Sequence, residues 1–169
     1  QDPQAEVWLF LDAQNSIYLM REPDEDDRLS QGWWLQKRTR FQLPDDTFEY
    51  AVSITGSLAR YFLAERRSVG LASAGTRFTI LPAERGERQT GKILETLAFL
   101  KPDGKLPLHG LVSTQSKLLP IGSSVMLVTS STRPDVILAA EDAQRRNLRP
   151  MVILLRAETF GGQELSESL

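Results

Sequence analysis

The chain contains a short apolar segment that runs directly into an acidic residue. Residues 7–11 are Val-Trp-Leu-Phe-Leu, and Asp12 follows them without a break. An uninterrupted apolar run of this length is typical of a strand that is buried on both faces of a parallel sheet. Because the carboxyl ends of parallel strands form the crevice where such sheets bind ligands and ions, we expect Asp12 to lie at the functional edge of an α/β domain.

Helical spacing and strand-like runs alternate along the rest of the chain. Asp46 and Glu49 form a capping box before the first predicted helix, and Thr132 and Asp135 form a second one later. The tight turn at 73–75 joins two strands into an antiparallel hairpin. The predicted helices are about 46–66, 88–100, 108–119 and 132–147, and the predicted strands are 7–12, 68–72, 76–81, 124–129 and 150–155. This order predicts an α/β sheet with helices on both faces and the strand before Asp12 at its centre.

Composition limits the classes of function. The 169 residues favour one domain over residues 1–169, and a net charge of −2 argues against a nucleic-acid partner. The absence of cysteine excludes disulfides, thiolate catalysis and cysteine-ligated metals. No stretch approaches the roughly 20 apolar residues that cross a bilayer, so we expect this chain to be soluble and to make no membrane contact itself. Because it begins with Gln1 and its last predicted strand ends near the C-terminus, we interpret it as a fragment of a longer protein.

An ordered set of segments carries a family likeness across nearly the whole chain. These segments are Leu-Phe-Leu-Asp at 9–12, the helical stretch 48–62, Ser-Val-Gly-Leu at 68–71, Arg-Gly-Glu-Arg-Gln at 85–89 with the apolar positions after it, and Thr-Phe-Gly-Gly at 159–162. The set resembles the domain-of-unknown-function 58 family, which is similar to a divergent branch of the von Willebrand factor A fold.

The resemblance implies a fold, a location and a partner. The fold is a three-layer, Rossmann-like domain with an open, mostly parallel sheet and one antiparallel edge strand. Members are typically bacterial or archaeal, carry N-terminal membrane segments, and are often encoded beside MoxR-type AAA+ ATPases. The resemblance therefore implies a membrane-associated protein whose domain lies at the cytoplasmic face and works with a MoxR-type ATPase. In this chain we expect the sixth strand of the fold to be truncated.

The metal-ion-dependent adhesion site of the von Willebrand factor A fold is matched only in part. Its pattern is Asp-x-Ser-x-Ser after the first strand, a Thr from a later loop, and an Asp after the fourth strand. Here Asp12 and Ser16 fill the first and third positions, Gln14 stands at the second, and Ser130 replaces the second carboxylate. Divalent cations need enough carboxylate charge to offset dehydration. We predict a degenerate site that binds no cofactor, or binds Mg²⁺ weakly, with Asp12 hydrogen-bonded to the loop at 130–131.

Enzyme interpretations fail at particular residues. A phosphatase of the haloacid dehalogenase type needs a second acid two residues after the first, and Gln14 cannot donate a proton there. A nucleophile at Ser130 or Ser131 needs a base, and the single histidine, His109, belongs to a different connection. The sequence has no Gly-x-Ser-x-Gly elbow and no phosphate-binding glycine loop. We predict a non-enzymatic protein-interaction module, with a metal-dependent hydrolase using Asp12 as the alternative.

The predicted partner contacts follow the first and fourth strands. Loops at the carboxyl ends of parallel strands are where such folds place function, and Trp and Arg are enriched at binding hot spots. The candidates are Trp33, Trp34 and Arg38 in the long connection, and Ser131 and Thr132 after the fourth strand. The tryptophans have an alternative role as cover for the core.

A second charged feature lies at the start of the predicted helix 88–100. Arg85 and Arg88 flank Gly86, and their guanidinium groups suit an acidic group on a partner. The alternative is that Glu84 and Glu87 neutralise them in ordinary surface ion pairs.

Overall fold

The structure of the chain is a computed structural model in which residues 5–15 and 47–156 are described. The strands are β1 (Val7–Leu11), β2 (Val69–Ala74), β3 (Phe78–Glu84), β4 (Ser124–Thr129) and β5 (Arg149–Leu154). The helices are α1 (Thr47–Ala64), α2 (Glu87–Phe99), α3 (Leu108–Gln115), which a 3₁₀ turn over Ser116–Leu118 extends, and α4 (Pro134–Arg145). The predicted order of helices and strands is confirmed over the described residues.

The strands form one sheet in the order β3-β2-β1-β4-β5. Strand β1 is parallel to both of its neighbours, β4 is parallel to β5, and only β3 is antiparallel. The predicted central position of the strand before Asp12 and the antiparallel edge strand are both confirmed. Because β1, β2, β4 and β5 are parallel, their last residues lie at one edge of the sheet, which we call the carboxyl edge; their first residues lie at the amino edge.

The apolar run of β1 is buried because both of its faces are covered. Val7, Leu9 and Leu11 pack on one face among residues of α1 and α2, including Phe48 and Ile93. Trp8 and Phe10 point to the other face, where they pack among residues of α3 and α4, including Leu108, Leu111, Val136 and Ala139. Successive side chains of a strand alternate between faces, so a strand between two helical layers needs apolar residues at every position.

The hairpin is longer than predicted. Strand β2 continues through Ser73 and Ala74, so the predicted turn at 73–75 is wrong and the chain reverses after Ala74. Strand β3 continues through Pro82, which lacks a backbone N–H but is tolerated at the outer edge of a sheet. The buried side chain of Gln89 donates to the carbonyl oxygens of Val69 (2.8 Å) and Pro82 (2.9 Å), and thereby anchors the start of α2 to the hairpin.

Helix α4 begins differently from the prediction. Its N-cap is Arg133, which makes no side-chain capping hydrogen bond, and Pro134 is the first helical residue. The capping box predicted for Thr132 and Asp135 is therefore wrong. Ser131 Oγ accepts a hydrogen bond from Arg133 N (3.2 Å), so the hydroxyl that orders this turn lies one residue earlier than predicted. The other predicted box begins at Asp46, which lies outside the described residues.

Candidate functional site

Asp12 is held at the carboxyl edge of the central strand. Its backbone N–H donates to Val128 O at 2.9 Å, which continues the pairing between β1 and β4 by one residue. Only 2% of its surface is exposed, although it is the residue that the sequence placed at the functional edge. Burial of a carboxyl group is costly unless its oxygens are hydrogen-bonded, so its partners decide what this group can do.

Both carboxylate oxygens of Asp12 accept hydrogen bonds from the protein. Thr129 Oγ1 donates to Oδ2 at 2.7 Å, and the backbone N–H of Gln14 donates to Oδ1 at 3.1 Å. Thr129 Oγ1 in turn accepts from the backbone N–H of Ser131 at 2.9 Å. The predicted link between Asp12 and the loop at 130–131 thus runs through Thr129, the last residue of β4, a residue that the sequence analysis did not assign to the site.

This environment raises the pKa of Asp12. Burial raises it from the ordinary 3.8 to about 6, against the hydrogen bonds from Thr129 and Gln14, which lower it. The charge of Asp135 raises it further and that of Arg133 lowers it. Asp12 is therefore largely ionised at neutral pH, in a position where the ionised form is destabilised relative to water.

Hydrogen bonds among its own residues hold the loop after β4 in place. Ser131 is 3% exposed, and its hydroxyl lies 3.4 Å from Asp135 Oδ1 as well as accepting from the backbone of Arg133. Thr132, by contrast, is exposed. Of the two loop residues predicted to contact a partner, Ser131 supports the loop and Thr132 presents its side chain to solvent.

The turn at 101–104 closes the carboxyl edge on the other side of Asp12. Gly104 N donates to Ala13 O, and Asn15 N donates to Gly104 O, each at 2.9 Å. Asp103 Oδ1 accepts from the backbone N–H of Thr76 at 2.7 Å, which ties the same turn to the hairpin.

A groove of about 490 Å³ lies against this turn and the start of β3. Its walls include an exposed aromatic ring and two basic side chains, Phe99, Arg77 and Lys101. Phe99 is 79% exposed, and Phe78 beside the groove lining is 56% exposed. The sequence predicts only a turn for this segment; the available signal was Phe99 itself, an aromatic residue at the C-terminal end of an amphipathic helix, outside the apolar stripe at 93, 94, 97 and 98.

The predicted site residues fall into two groups. Asp12, Gln14, Ser130, Ser131 and Thr132 lie at the carboxyl edge, on the segments that follow β1 and β4. The remaining predicted residues lie outside the described residues: Ser16, Trp33, Trp34 and Arg38.

The residues at this edge supply little negative charge for a divalent cation. Both oxygens of Asp12 are already hydrogen-bonded, the hydroxyl of Ser130 stands in place of a second carboxylate, and the positive charge of Arg133 acts on Asp12. Gln14 Oε1 and Asp135 Oδ2 are buried without a hydrogen-bond donor among the described residues, but they add only one further negative charge. In the described part of the chain, no three His, Cys, Asp or Glu side chains cluster as a metal site would need.

The single histidine contributes to the packing of α3 against α4. His109 Nε2 lies 3.5 Å from Ser113 Oγ, and Ser113 Oγ donates to Asp142 Oδ2 at 2.9 Å. Asp142 also lies within 3.7 Å of Arg145 and 3.6 Å of Arg146. The hydroxyl hydrogen that a histidine base would take is therefore directed at a carboxylate in a network that joins two helices.

No protein-family model and no curated protein matches the chain. Among solved structures, the chain is similar to an aerotolerance-related membrane protein from Bacteroides fragilis NCTC 9343 whose crystal structure carries multiple mutations to serine. The two share 12% sequence identity with a TM-score of 0.54, over 89% of this chain and 67% of the other. At this identity the likeness shows the fold alone, which is a von Willebrand factor A-like, Rossmann-like α/β fold. Within residues 5–15 and 47–156, no helix has the length and apolar character needed to span a bilayer.

Proposed function

We propose that this chain is a non-enzymatic protein-interaction module that binds its partner at the carboxyl edge of the sheet. The resemblance to the domain-of-unknown-function 58 family supports a place in a bacterial membrane-associated assembly, at the cytoplasmic face, with a MoxR-type AAA+ ATPase as the partner. The structural similarity to a bacterial membrane protein is in keeping with this assignment. That the chain is a fragment lacking a sixth strand stays a prediction.

The observation that carries the proposal is that Asp12 is buried and that both of its carboxylate oxygens accept hydrogen bonds from the protein. A von Willebrand factor A-like site that binds through a metal needs free carboxylate oxygens directed at the cation. Here Thr129 Oγ1 and the Gln14 N–H each donate to one oxygen of Asp12, and Ser130 brings no charge. A cation would have to reach the remaining lone pairs of a carboxylate that is only 2% exposed, with little other negative charge beside it. Recognition is therefore assigned to the protein's own side chains.

The surface available for recognition lies on both sides of Asp12. The groove beside the turn at 101–104 offers Phe99 with Arg77 and Lys101, an aromatic ring flanked by two positive charges. Thr132 is exposed on the other side. Aromatic and arginine side chains at the centre of a contact contribute most to binding. Trp33, Trp34 and Arg38 remain proposed contacts from the connection that follows β1.

Divalent cations are expected to bind weakly or not at all. At about 10 mM Mg²⁺ or Mn²⁺, the midpoint of thermal unfolding should rise by about 1 °C or less, because a ligand near its dissociation constant adds little stability. Calorimetric titration with micromolar concentrations of metal should show no heat from binding to a saturable site. Micromolar binding together with turnover of a generic phosphoester, both lost in Asp12→Ala, would instead establish the metal-dependent hydrolase.

The groove beside the carboxyl edge is expected to dominate partner affinity. Phe99→Ala should weaken binding of the MoxR-type ATPase encoded by the same organism by about tenfold or more, since buried aromatic anchors contribute about 2 kcal/mol at hot spots. Biolayer interferometry with immobilised domain measures the change. Thermal unfolding should be unchanged, because Phe99 is 79% exposed.

A matched control lies far from this edge. Leu118 is 77% exposed in the 3₁₀ turn that precedes β4, and Leu118→Ala removes a similar apolar surface. It should leave the affinity within about twofold of the original, as most surface positions away from a hot spot do. Equal losses in both variants, or no loss in Phe99→Ala, would show that the groove is not the contact.

A further inference from the structure

A second groove, of about 720 Å³, lies at the amino edge of the sheet, opposite Asp12. The last turns of α1 form one wall and the start of α2 forms the other, where β3 ends beside the first residue of β2. Its lining residues are Ser57, Arg60, Tyr61, Leu63, Ala64, Arg66, Gly86, Glu87 and Thr90. This groove plays no part in the function proposed for the carboxyl edge.

Two arginines on the α1 wall have no partner in the described part of the chain. Arg60 and Arg66 are both exposed, and neither side chain makes a hydrogen bond or ion pair with the residues described. The backbone of Arg66 is nevertheless fixed: its N–H donates to Leu63 O, and the following N–H of Arg67 donates to Phe62 O, each at 2.9 Å. Its φ of 59° belongs to this closing turn of the helix. The backbone from which Arg66 extends is thus fixed, while its exposed guanidinium group has no partner among the described residues.

The opposite wall of the groove contributes a hydroxyl side chain and is unobstructed at Gly86. Gly86 has a φ of 90°, and no atom lies within 4 Å of the position where a Cβ would stand, so the wall is unobstructed there. Thr90 also lines the groove, and Gln89 anchors this end of α2 to the hairpin. Glu87 is the one carboxylate in the lining.

Arg85 and Arg88, which the sequence suggested for binding an acidic group, are not the arginines that line this groove. Arg85 Nε donates to Ser68 Oγ at 3.0 Å, and Glu84 is bound by Lys92 Nζ at 2.7 Å. Glu84 thus pairs with Lys92, whereas the alternative from the sequence paired Glu84 and Glu87 with Arg85 and Arg88. The arginines that line the groove are Arg60 in α1 and Arg66 just after that helix, which lie at least 19 residues earlier in the chain.

We propose that this groove binds an acidic peptide segment of a partner protein, with Arg60 and Arg66 each receiving a carboxylate. Guanidinium groups bind carboxylates through paired N–H donors, which makes them suited to acidic side chains. The volume of about 720 Å³ exceeds what a single small anion fills, and Tyr61, 61% exposed beside Arg60, offers a ring for the peptide's apolar atoms. Ser57 Oγ donates to Ser53 O at 2.8 Å and so offers the peptide an acceptor, and the Thr90 side chain also lines the groove.

The test uses a fluorescein-labelled octaglutamate peptide and fluorescence anisotropy with the whole chain. The double variant Arg60→Gln/Arg66→Gln should bind the peptide about tenfold more weakly or worse, since hydrogen bonds to charged groups contribute strongly. The matched control Arg145→Gln/Arg149→Gln makes the same change in net charge at two exposed arginines that line neither groove, and should change the affinity by about twofold or less. Glu87→Gln should strengthen binding about threefold by removing the opposing charge.

Any one of four results would overturn the proposal. Absence of peptide binding to the unmodified chain overturns it directly, and equal losses in the two double variants show only general charge attraction. Inorganic phosphate that binds as tightly as the peptide would assign the groove to a small anion. Association with mixed phosphatidylcholine and phosphatidylglycerol vesicles, but not with the peptide, would assign it to a lipid surface. Circular dichroism of each variant confirms that it is folded before its affinity is compared.

Discussion

The variant Gly104→Ala is expected to lose about 3 kcal/mol or more of the free energy of unfolding. A Cβ at this position would overlap the carbonyl oxygen of Ala74 and lie 2.9 Å from that of Ala13. Both obstacles are backbone atoms at the ends of paired strands, so neither can move aside as a flexible side chain would. The two hydrogen bonds that Gly104 makes with Ala13 and Asn15 must lengthen or break.

A second glycine provides the control for the effect of adding a methyl group. Gly91 lies within α2, and a Cβ there meets no atom within 4 Å. Gly91→Ala should therefore raise the free energy of unfolding by about 0.5–1 kcal/mol, because alanine is the better helix former. Urea unfolding followed by circular dichroism gives both values on the same scale.

The comparison tests the geometry of the carboxyl edge. Gly104 holds the turn at 101–104 against the segment after Asp12, and the groove with Phe99 is built on that turn. If Gly104→Ala were within about 1 kcal/mol of the unmodified chain, the close approach of Gly104 to Ala74 would be wrong, and with it the placement of the groove.

The central strand could be predicted because its sequence leaves little choice. Five consecutive apolar residues fit a strand covered on both faces, and Leu9 and Phe10 are indeed fully buried on opposite faces. The end of that strand then fixes the position of Asp12. The helices were also predictable from their apolar stripes, because α1 and α2 each bury one face against the sheet.

The partners of Asp12 depend on strand register, which local pattern does not contain. Leu11 is paired with Val128, so the next residue on each strand, Asp12 and Thr129, is brought to the same place. A shift of one residue between β1 and β4 would have put Ser130 opposite Asp12 instead. The extent of β3 could not be predicted for a related reason: Pro82 ends a central strand but not an outer one, and the sequence does not show which strand is outermost.

The two grooves could not be predicted either, because each combines segments that are distant in sequence. The groove at the amino edge joins Arg60 and Arg66 to Gly86 and Thr90 across the packing of α1 on α2. Sequence spacing drew attention to Arg85 and Arg88, which are adjacent in the chain to that glycine. Only the helix packing shows which arginines face it.

The variant Asp12→Asn is expected to be more stable than the unmodified chain at pH 7.5 by about 2 kcal/mol. Burial raises the pKa of Asp12 from 3.8 to about 6, so the folded protein resists ionisation of this group. A raised carboxyl pKa means that the folded state holds its proton between those two values while the unfolded state releases it. Stability from this group is therefore complete below pH 3.8 and is lost as the pH rises through 6.

The expected size follows from the two pKa values. A shift from 3.8 to about 6 corresponds to about 3 kcal/mol of stability lost on ionisation. An asparagine side chain keeps one carbonyl oxygen as an acceptor but presents an amide to the second donor, which costs about 1 kcal/mol. The net gain at pH 7.5 is thus about 2 kcal/mol, and the two proteins should be equally stable near pH 4.5.

Other carboxyl groups change stability in the opposite direction and must be separated from Asp12. The hydrogen bond from Lys92 lowers the pKa of Glu84, and the backbone N–H of Thr76 lowers that of Asp103. Both groups contribute stability that is lost as the pH falls. They are present in both proteins, so the difference between Asp12→Asn and the unmodified chain at each pH isolates the effect of Asp12.

Urea unfolding between about pH 4.5 and pH 7.5 measures that difference. A gain that grows with pH would establish Asp12 as a buried, destabilised carboxylate that the fold retains despite its cost, in keeping with a role at the carboxyl edge. A difference independent of pH would mean that Asp12 titrates as it does in water, and that its oxygens are accessible. An accessible carboxylate at this edge would restore the case for a bound cation, because a cation could then reach oxygens that are buried in this structure.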